Sequence, residues 1–206
     1  MAVKNRRILS SPRKRICGGE LCFEQKILLR AAALWWFGEG LLGTFFAPFV
    51  QEIGGDILDI SFAAALYYAM IGVLTYFVGR LSDRFVRKEV LLVAGGALNA
   101  LFTFGYLFVS KPAHLFAVQA GLGFASALAS PPWTALFAKY EVKESSGYTW
   151  GLRQAFEMFA IAGAILIGGL VIKYASFTAL FISMGIVQTA AAIYQARILK
   201  TSFGKS

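Results

Sequence analysis

The chain has 206 residues, of which 58% are hydrophobic and 15% are charged, and its formal net charge is +9. Soluble domains average roughly 45–50% apolar and about 25% charged residues, so this composition excludes an ordinary soluble domain and indicates a membrane protein. Such a positive charge would suggest nucleic acid as a partner of a soluble protein. Here the basic residues cluster between long apolar runs, so we expect no nucleic-acid partner.

Six stretches are long and apolar enough to cross a bilayer as helices, which takes about 20 residues. They are residues 27–50, 59–79, 89–109, 113–138, 150–172 and 176–197. Such runs without polar alternation predict α-helices, because a helix satisfies its own backbone hydrogen bonds in lipid. The predicted fold is an all-α membrane protein with a basic arm (1–26), a six-helix domain (27–197) and a C-terminal tail (198–206).

The placement of lysine and arginine predicts the orientation. If the N-terminus is cytoplasmic, every Lys and Arg falls on the cytoplasmic side except Lys111 and Lys173. Cytoplasmic segments of membrane proteins carry an excess of these residues. We therefore expect a multi-pass protein of the plasma or inner membrane with both termini in the cytoplasm, and a basic arm held at the lipid headgroups.

The first predicted helix carries a carboxyl group near the middle of the bilayer. Glu39 lies nine residues after Arg30, which is roughly 13 Å deeper at the rise of a helix. A charge at that depth costs about 2.5–3.5 kcal/mol, so it usually faces a bundle interior or a wet cavity. Glu39 is a candidate proton or substrate site, and the alternative is a protonated carboxyl bonded to a neighbouring helix.

A charged segment joins the second and third predicted helices. It reads G-R-L-S-D-R-F-V-R-K from Gly79 to Lys88 and predicts a short loop between two apolar runs. The pattern resembles the signature loop between the second and third helices of the major facilitator superfamily of secondary transporters. Val86 stands where that family usually has glycine. The residues that carry the resemblance are Gly79, Leu81, Asp83, Arg84, Arg87 and Lys88.

The resemblance implies one six-helix half of a transporter, built from two inverted three-helix repeats. In the family, the aspartate of this loop docks on the start of a helix in the opposite half. The resemblance therefore implies that Asp83 approaches the start of the fifth helix, near Tyr148–Gly151, in a second copy. Arg84, Arg87 and Lys88 would then bind lipid phosphate or Glu144. The implied partners are a small-molecule solute, the lipid bilayer and a second copy in a homodimer.

An internal echo supports the repeat. Gly38-x-Gly40 precedes Pro48, and Gly121-x-Gly123 precedes Pro131 at the same spacing, in helices that run in opposite directions. Matched helices interrupted by glycine and proline indicate the binding region of such transporters. We expect the glycines to permit close packing and Pro131 with Pro132 to kink the fourth helix or loosen its end.

The fifth helix carries Arg153 and Glu157, which lie four residues apart and hence on one face. They are candidate proton or substrate residues, and the alternative is a pair that only neutralises its own charges in lipid. Ala164 stands where antiporters of the family tend to have proline, so an antiporter is not indicated. The fourth helix lacks the arginine that relatives often carry near Ala117 or Gln119, and Gln119 is a candidate in its place. Asn99 and Trp133 are weaker candidates for cavity contacts.

The leading hypothesis is a half-size secondary transporter that moves a small solute by alternating access as a homodimer. The alternative is a six-helix accessory or structural subunit, or a fragment of a longer transporter. An enzyme is not predicted, because His114 has no evident catalytic partner. No cofactor or metal is expected, since Cys17 and Cys22 lie on the side opposite His114 and lack further ligands.

Overall fold

The structure, a computed structural model, describes residues 21–84, 87–141 and 146–203. Two short 3₁₀ turns, Gly43–Phe45 and Tyr106–Phe108, follow the first and fourth helices. Residues 1–20 of the arm, Val86 and Glu144 lie outside the described ranges. The helices are α1 (Phe23–Leu42), α2 (Phe46–Glu52), α3 (Ile57–Arg84), α4 (Lys88–Gly105), α5 (Pro112–Lys139), α6 (Ser146–Tyr174), α7 (Phe177–Gln195) and α8 (Arg197–Phe203).

The six predicted spans are confirmed. Each is a helical segment long and apolar enough to cross a membrane, and the described part of the chain contains helices without strands. The segments are Phe23–Glu52, Ile57–Arg84, Lys88–Phe108, Pro112–Lys139, Ser146–Tyr174 and Phe177–Lys200. We call the side of the bundle where Phe23, Arg84 and Lys139 lie the basic end, and the other side the opposite end.

Local sequence signals fix the turns at the opposite end. Gly54 has a φ of 80°, which glycine adopts without strain, and it ends the first span. The Asp56 carboxylate accepts hydrogen bonds from the backbone N–H of Leu58 at 2.8 Å and of Asp59 at 3.0 Å, which caps α3. Ser176 caps α7 in the same way through the Ala179 N–H.

The described residues of the charged segment from Gly79 to Lys88 belong mainly to the two flanking helices, so the predicted loop is shorter than expected. α3 continues to Arg84 and α4 begins at Lys88. Lys88 Nζ donates a hydrogen bond to the Asp83 carboxylate at 2.9 Å, and the Arg80 guanidinium lies 4.5 Å from the Tyr76 ring centroid. Long basic side chains reach polar surroundings from a helix end, so the helix need not stop where the apolar run stops.

The packing of the six spans has an internal symmetry. α1 packs against α6 and α7, α5 packs against α3 and α4, and α4 packs against α7. If α1 is exchanged with α5, α3 with α6 and α4 with α7, the same pairs of neighbouring helices result. The bundle is therefore two inverted three-helix repeats that interlock, since the first helix of each repeat packs on the second and third helices of the other.

The glycine echo lies at the centre of that symmetry. A Cβ at Gly40 would lie 2.9 Å from Ala164 on α6, and one at Gly123 would lie 2.7 Å from Met70 on α3. A Cβ at Gly38 would lie 2.6 Å from the Gln188 amide on α7, and one at Gly121 would collide with Phe102 on α4. Equivalent glycines thus face equivalent partners, and the repeat seen in the sequence is a repeat in the packing.

Two apolar clusters fill the bundle. The larger lies towards the opposite end, where the Tyr106 and Phe181 rings stack at 5.0 Å and Phe49 meets Phe181 edge-on at 4.7 Å. The smaller lies towards the basic end around Leu92, Leu136 and Phe137. By contrast, α3 and α6 bury few side chains within this chain.

Gly168 on α6 provides a test of the close packing. A Cβ there would collide with the Leu41 carbonyl oxygen on α1, whereas among the described residues nothing lies within 4 Å of a Cβ at Gly163. We expect Gly168→Ala to lower the free energy of unfolding by about 1–3 kcal/mol, as overpacking does. Gly163→Ala, on the same helix, should be neutral or slightly stabilising. Detergent-induced unfolding measures both, and equal stabilities would contradict the packing.

Candidate functional site

A cavity of about 280 Å³ lies between α1 and α5. The two helices make few contacts with each other, because Gly40 lets α1 pack closely on α6 and Gly123 lets α5 pack closely on α3. We call this space the tryptophan cavity, since three of the four tryptophans of the chain line it. Its principal lining residues are Trp35, Trp36, Tyr67, Ser126, Trp133 and Arg153.

The depth of the cavity follows from the position of its residues in their helices. Trp133 lies six residues before the end of α5 and Arg153 seven residues after the start of α6. At 1.5 Å per residue both are about 10 Å from the basic end, and Trp35, twelve residues into α1, is about 18 Å from it. The cavity therefore extends from the basic end towards the middle of the bilayer.

Glu39 lies in a hydrogen-bonded network that joins α1, α4 and α7. Its carboxylate oxygen Oε1 accepts bonds from Asn99 Nδ2 and from Gln188 Nε2, both at 3.3 Å. Gln188 Nε2 also donates to the Trp35 carbonyl oxygen at 3.1 Å. Asn99 and Gln188 are almost completely buried. The network therefore connects the Glu39 carboxyl group to the backbone of Trp35 through Gln188. Hydrogen bonds from neighbouring helices are what the alternative hypothesis for Glu39 predicted.

Arg153 and Glu157 form an ion pair, with Nη2 and Oε2 2.8 Å apart. The guanidinium lies 5.2 Å from the Trp133 ring centroid, within the range of a cation–π contact. The Arg153 Nε atom is buried and finds no hydrogen-bond acceptor among the described residues. The ion pair therefore neutralises the two charges, as one hypothesis proposed, but the buried Nε–H donor of the arginine is left without an acceptor among the described residues.

Tyr67 and Ser126 contribute polar atoms on the other side of the cavity. Their hydroxyl groups lie 3.2 Å apart and form a hydrogen bond between α3 and α5. The cavity therefore has a polar pair on its α3 and α5 side and the Arg153 guanidinium on its α6 side.

The structure distributes the other predicted residues differently. Gln119 is buried, with 7% of its surface exposed, and is not part of the cavity wall. Asn99 belongs to the Glu39 network, whereas Trp133 does line the cavity. α5 stays helical through Pro131 and Pro132 and ends at Lys139, so the helix is not terminated there. Pro48 lies near the start of α2, after the break at Gly43–Phe45.

Sequence reasoning missed Trp35, Trp36, Tyr67 and Ser126 as site residues. Tryptophans of membrane proteins concentrate at the two interfaces, so Trp35 deep in a span was the available signal. No sequence signal indicates the hydrogen bond between Tyr67 and Ser126, since it depends on how α3 and α5 are rotated about their axes. Within the described ranges, no group of three or more His, Cys, Asp or Glu residues is arranged to hold a metal ion.

A double-mutant cycle tests the Glu39 network. Glu39→Leu and Asn99→Leu each remove one partner of the same hydrogen bond, so we expect the double variant to lose about 1 kcal/mol less stability than the two single variants summed. The control combines Glu39→Leu with Gln119→Leu and should be additive, because the hydrogen bonds described for Glu39 go to Asn99 and Gln188. Detergent unfolding supplies the energies, and additivity in both cycles would refute the network.

Comparison with known proteins gives two agreeing results. Residues 28–203 match the family described as Major Facilitator Superfamily. The chain also resembles a protein of Bacillus subtilis (strain 168) described as "Uncharacterized MFS-type transporter YitZ", with 24% identity over 153 residues. That match covers 74% of this chain and 92% of the relative, so the relative is somewhat shorter than this chain. Because the family match spans most of the chain and all six membrane helices, the chain belongs to the major facilitator superfamily.

Proposed function

We propose that the chain is a half-size secondary transporter that moves a small solute by alternating access as a homodimer. Family membership points to a transporter rather than an enzyme. The observation that carries the proposal is the tryptophan cavity between α1 and α5, a concave and mainly apolar space with a few polar groups. In this proposal the cavities of two copies face each other and together enclose the solute.

The symmetry of the chain suits such pairing. Six spans return the chain to the side on which it began, so a two-fold axis along the membrane normal relates two copies without inverting either. In this arrangement the basic end of both copies faces the cytoplasm, as the distribution of lysine and arginine favours.

The proposed interface consists of α3 and α6, the spans that the chain itself covers least. Large exposed side chains such as Phe77 and Phe159 are compatible with lipid as well as with protein. The glycines are more informative. Among the described residues, nothing lies within 4 Å of a Cβ at Gly72 or Gly79 on α3, or at Gly147 or Gly151 on α6. Small residues at a helix surface let two backbones approach closely in lipid, and this supports contact between copies.

Asp83 is well placed for a contact between copies. Its side chain is 78% exposed at the end of α3, although it pairs with Lys88 in the same chain. The start of α6 carries the partial positive charge of a helix N-terminus, which attracts a carboxylate. We propose that Asp83 of one copy reaches the start of α6 in the other copy.

A cysteine crosslink tests this contact. In a background with Cys17 and Cys22 replaced, Asp83→Cys together with Tyr148→Cys should yield a crosslinked dimer on a denaturing gel, because the proposal joins these positions across the interface. Tyr148 is 50% exposed on α6.

The matched control pairs Asp83→Cys with Ile193→Cys. Ile193 is 66% exposed near the basic end of α7, which is outside the proposed interface, and should give no dimer. A monomeric mass in nanodiscs together with no 83–148 product would favour an accessory subunit or a fragment of a longer transporter.

Glu39 is the proposed proton-carrying group. Glu39 is a carboxyl group within a membrane span, one helical turn from Trp35 in the cavity wall, and it has two amide donors in hydrogen-bond reach. Gaining or losing a proton changes how strongly those amides bind it, which would link proton transfer to the packing of α1, α4 and α7.

We expect Glu39→Gln to abolish proton-coupled flux and to leave folding intact, since glutamine keeps the size and an acceptor oxygen. Internal pH of proteoliposomes measures the flux, and thermal unfolding measures the fold. We do not expect a carboxyl group at position 119 to replace Glu39, because it would lie outside the hydrogen bonds with Asn99 and Gln188. The double variant Glu39→Gln, Gln119→Glu should therefore remain inactive. Wild-type flux in Glu39→Gln would remove Glu39 from the mechanism.

A further inference from the structure

We propose that the tryptophan cavity binds an aromatic organic anion, with its ring against the tryptophans and its anionic group on Arg153. The proposal deepens the transport function above and rests on it for its biological meaning. The ring preference follows from the wall, where Trp35, Trp36 and Trp133 offer flat apolar surfaces. Aromatic rings pair with one another more favourably than their buried area alone accounts for.

The negative charge of the proposed solute follows from the presence of Arg153 in the cavity wall. Among the described residues that line the cavity, it is the only one with a permanent charge. Guanidinium groups bind carboxylates through two parallel N–H bonds, so arginine is suited to a planar anionic group. An anionic solute can pair with this guanidinium in addition to Glu157, whereas a neutral or cationic solute cannot.

Arg153 has the capacity for a second anion. Its ion pair with Glu157 joins Nη2 to Oε2 at 2.8 Å, and a guanidinium has five N–H donors in all. The Nε–H group is buried and lacks an acceptor among the described residues, and an unmade hydrogen bond of a buried donor costs free energy. The side chain as a whole is 28% exposed and lines the cavity, so a carboxylate that enters there can contact the guanidinium.

The Trp133 ring fixes the direction of the guanidinium. The ring lies under it at 5.2 Å, and Trp133 Nε1 donates to the Leu28 carbonyl oxygen at 3.4 Å, which ties the ring to α1. The cation, the ring and the open space therefore belong to one wall. A solute with a ring and a carboxylate a few ångströms apart matches that arrangement.

Tryptophan fluorescence of the full-length protein in nanodiscs tests the proposal without a transport assay. The probes are 4-nitrobenzoate and its neutral amide, 4-nitrobenzamide, which share a ring that quenches tryptophan and differ in charge. Empty nanodiscs correct for partitioning into lipid. We expect at least about 10-fold tighter binding of the benzoate, equivalent to about 1.4 kcal/mol. Equal affinities, or no saturable quenching by either probe, would overturn the proposal.

Three variants identify the group responsible. Arg153→Gln should weaken benzoate binding at least about 10-fold and leave amide binding unchanged, because it removes the charge that separates the two probes. Arg153→Lys keeps the charge but not the planar donors and should give intermediate affinity. Glu157→Gln removes the competing carboxylate and should bind the benzoate as tightly as the wild type or more so.

Size-exclusion profiles and melting temperatures establish that each variant is folded. If Glu157→Gln loses benzoate binding as completely as Arg153→Gln, the ion pair is structural and the proposal is wrong. Since binding is measured without an ion gradient, a protein that binds benzoate but moves no solute would contradict the transport function alone.

Discussion

Close approach between helix backbones is the constraint on which this structure depends. In lipid, apolar side chains gain little by leaving their solvent, so helices associate through tight packing, and glycine permits the tightest. Gly40 and Gly168 bring α1 and α6 together, and Gly123 brings α5 and α3 together. Because α1 packs closely on α6 and α5 packs closely on α3, α1 and α5 make few contacts with each other. The cavity is thus a consequence of contacts made elsewhere in the bundle.

The polar groups within the spans are only partly satisfied by the described residues. Glu39 has two amide donors, and those amides lie in the buried interior between three helices. Arg153 has one anionic partner and a buried N–H group without an acceptor in the described part of the chain. The Glu39 network is not fully satisfied either, because Asn99 Oδ1 and Gln188 Oε1 are buried and find no donor among the described residues. Both polar groups therefore keep unused hydrogen-bonding capacity within the spans.

Much of the fold follows from the sequence, because the bilayer allows few alternatives. Apolar runs of sufficient length have to be helices, and the spacing of Gly38, Gly40, Gly121 and Gly123 indicates the repeat that the packing then displays. The loop predicted after Gly79 is shorter than expected, because α3 continues to Arg84 beyond the end of the apolar run.

The candidate site was less predictable than the fold. Which residues face a cavity depends on the rotation of each helix about its axis, and helices that are apolar on all sides leave that rotation undetermined. Glu39, Arg153 and Trp133 could be selected because they are chemically unusual at their depth. Tyr67 and Ser126 could not, since each is ordinary by itself and only their 3.2 Å separation gives them a shared role.

The repeat is not chemically symmetric, and that difference gives the bundle a polarity. The spacing that aligns Gly38 with Gly121 and Gly40 with Gly123 aligns Glu39 with Leu122, a buried residue of the larger apolar cluster. Two identical inverted repeats would present the same surface to both faces of a membrane and would not distinguish them. Since Glu39 lies near the middle of its span and has Leu122 as its counterpart, the two repeats carry different chemistry at the same depth.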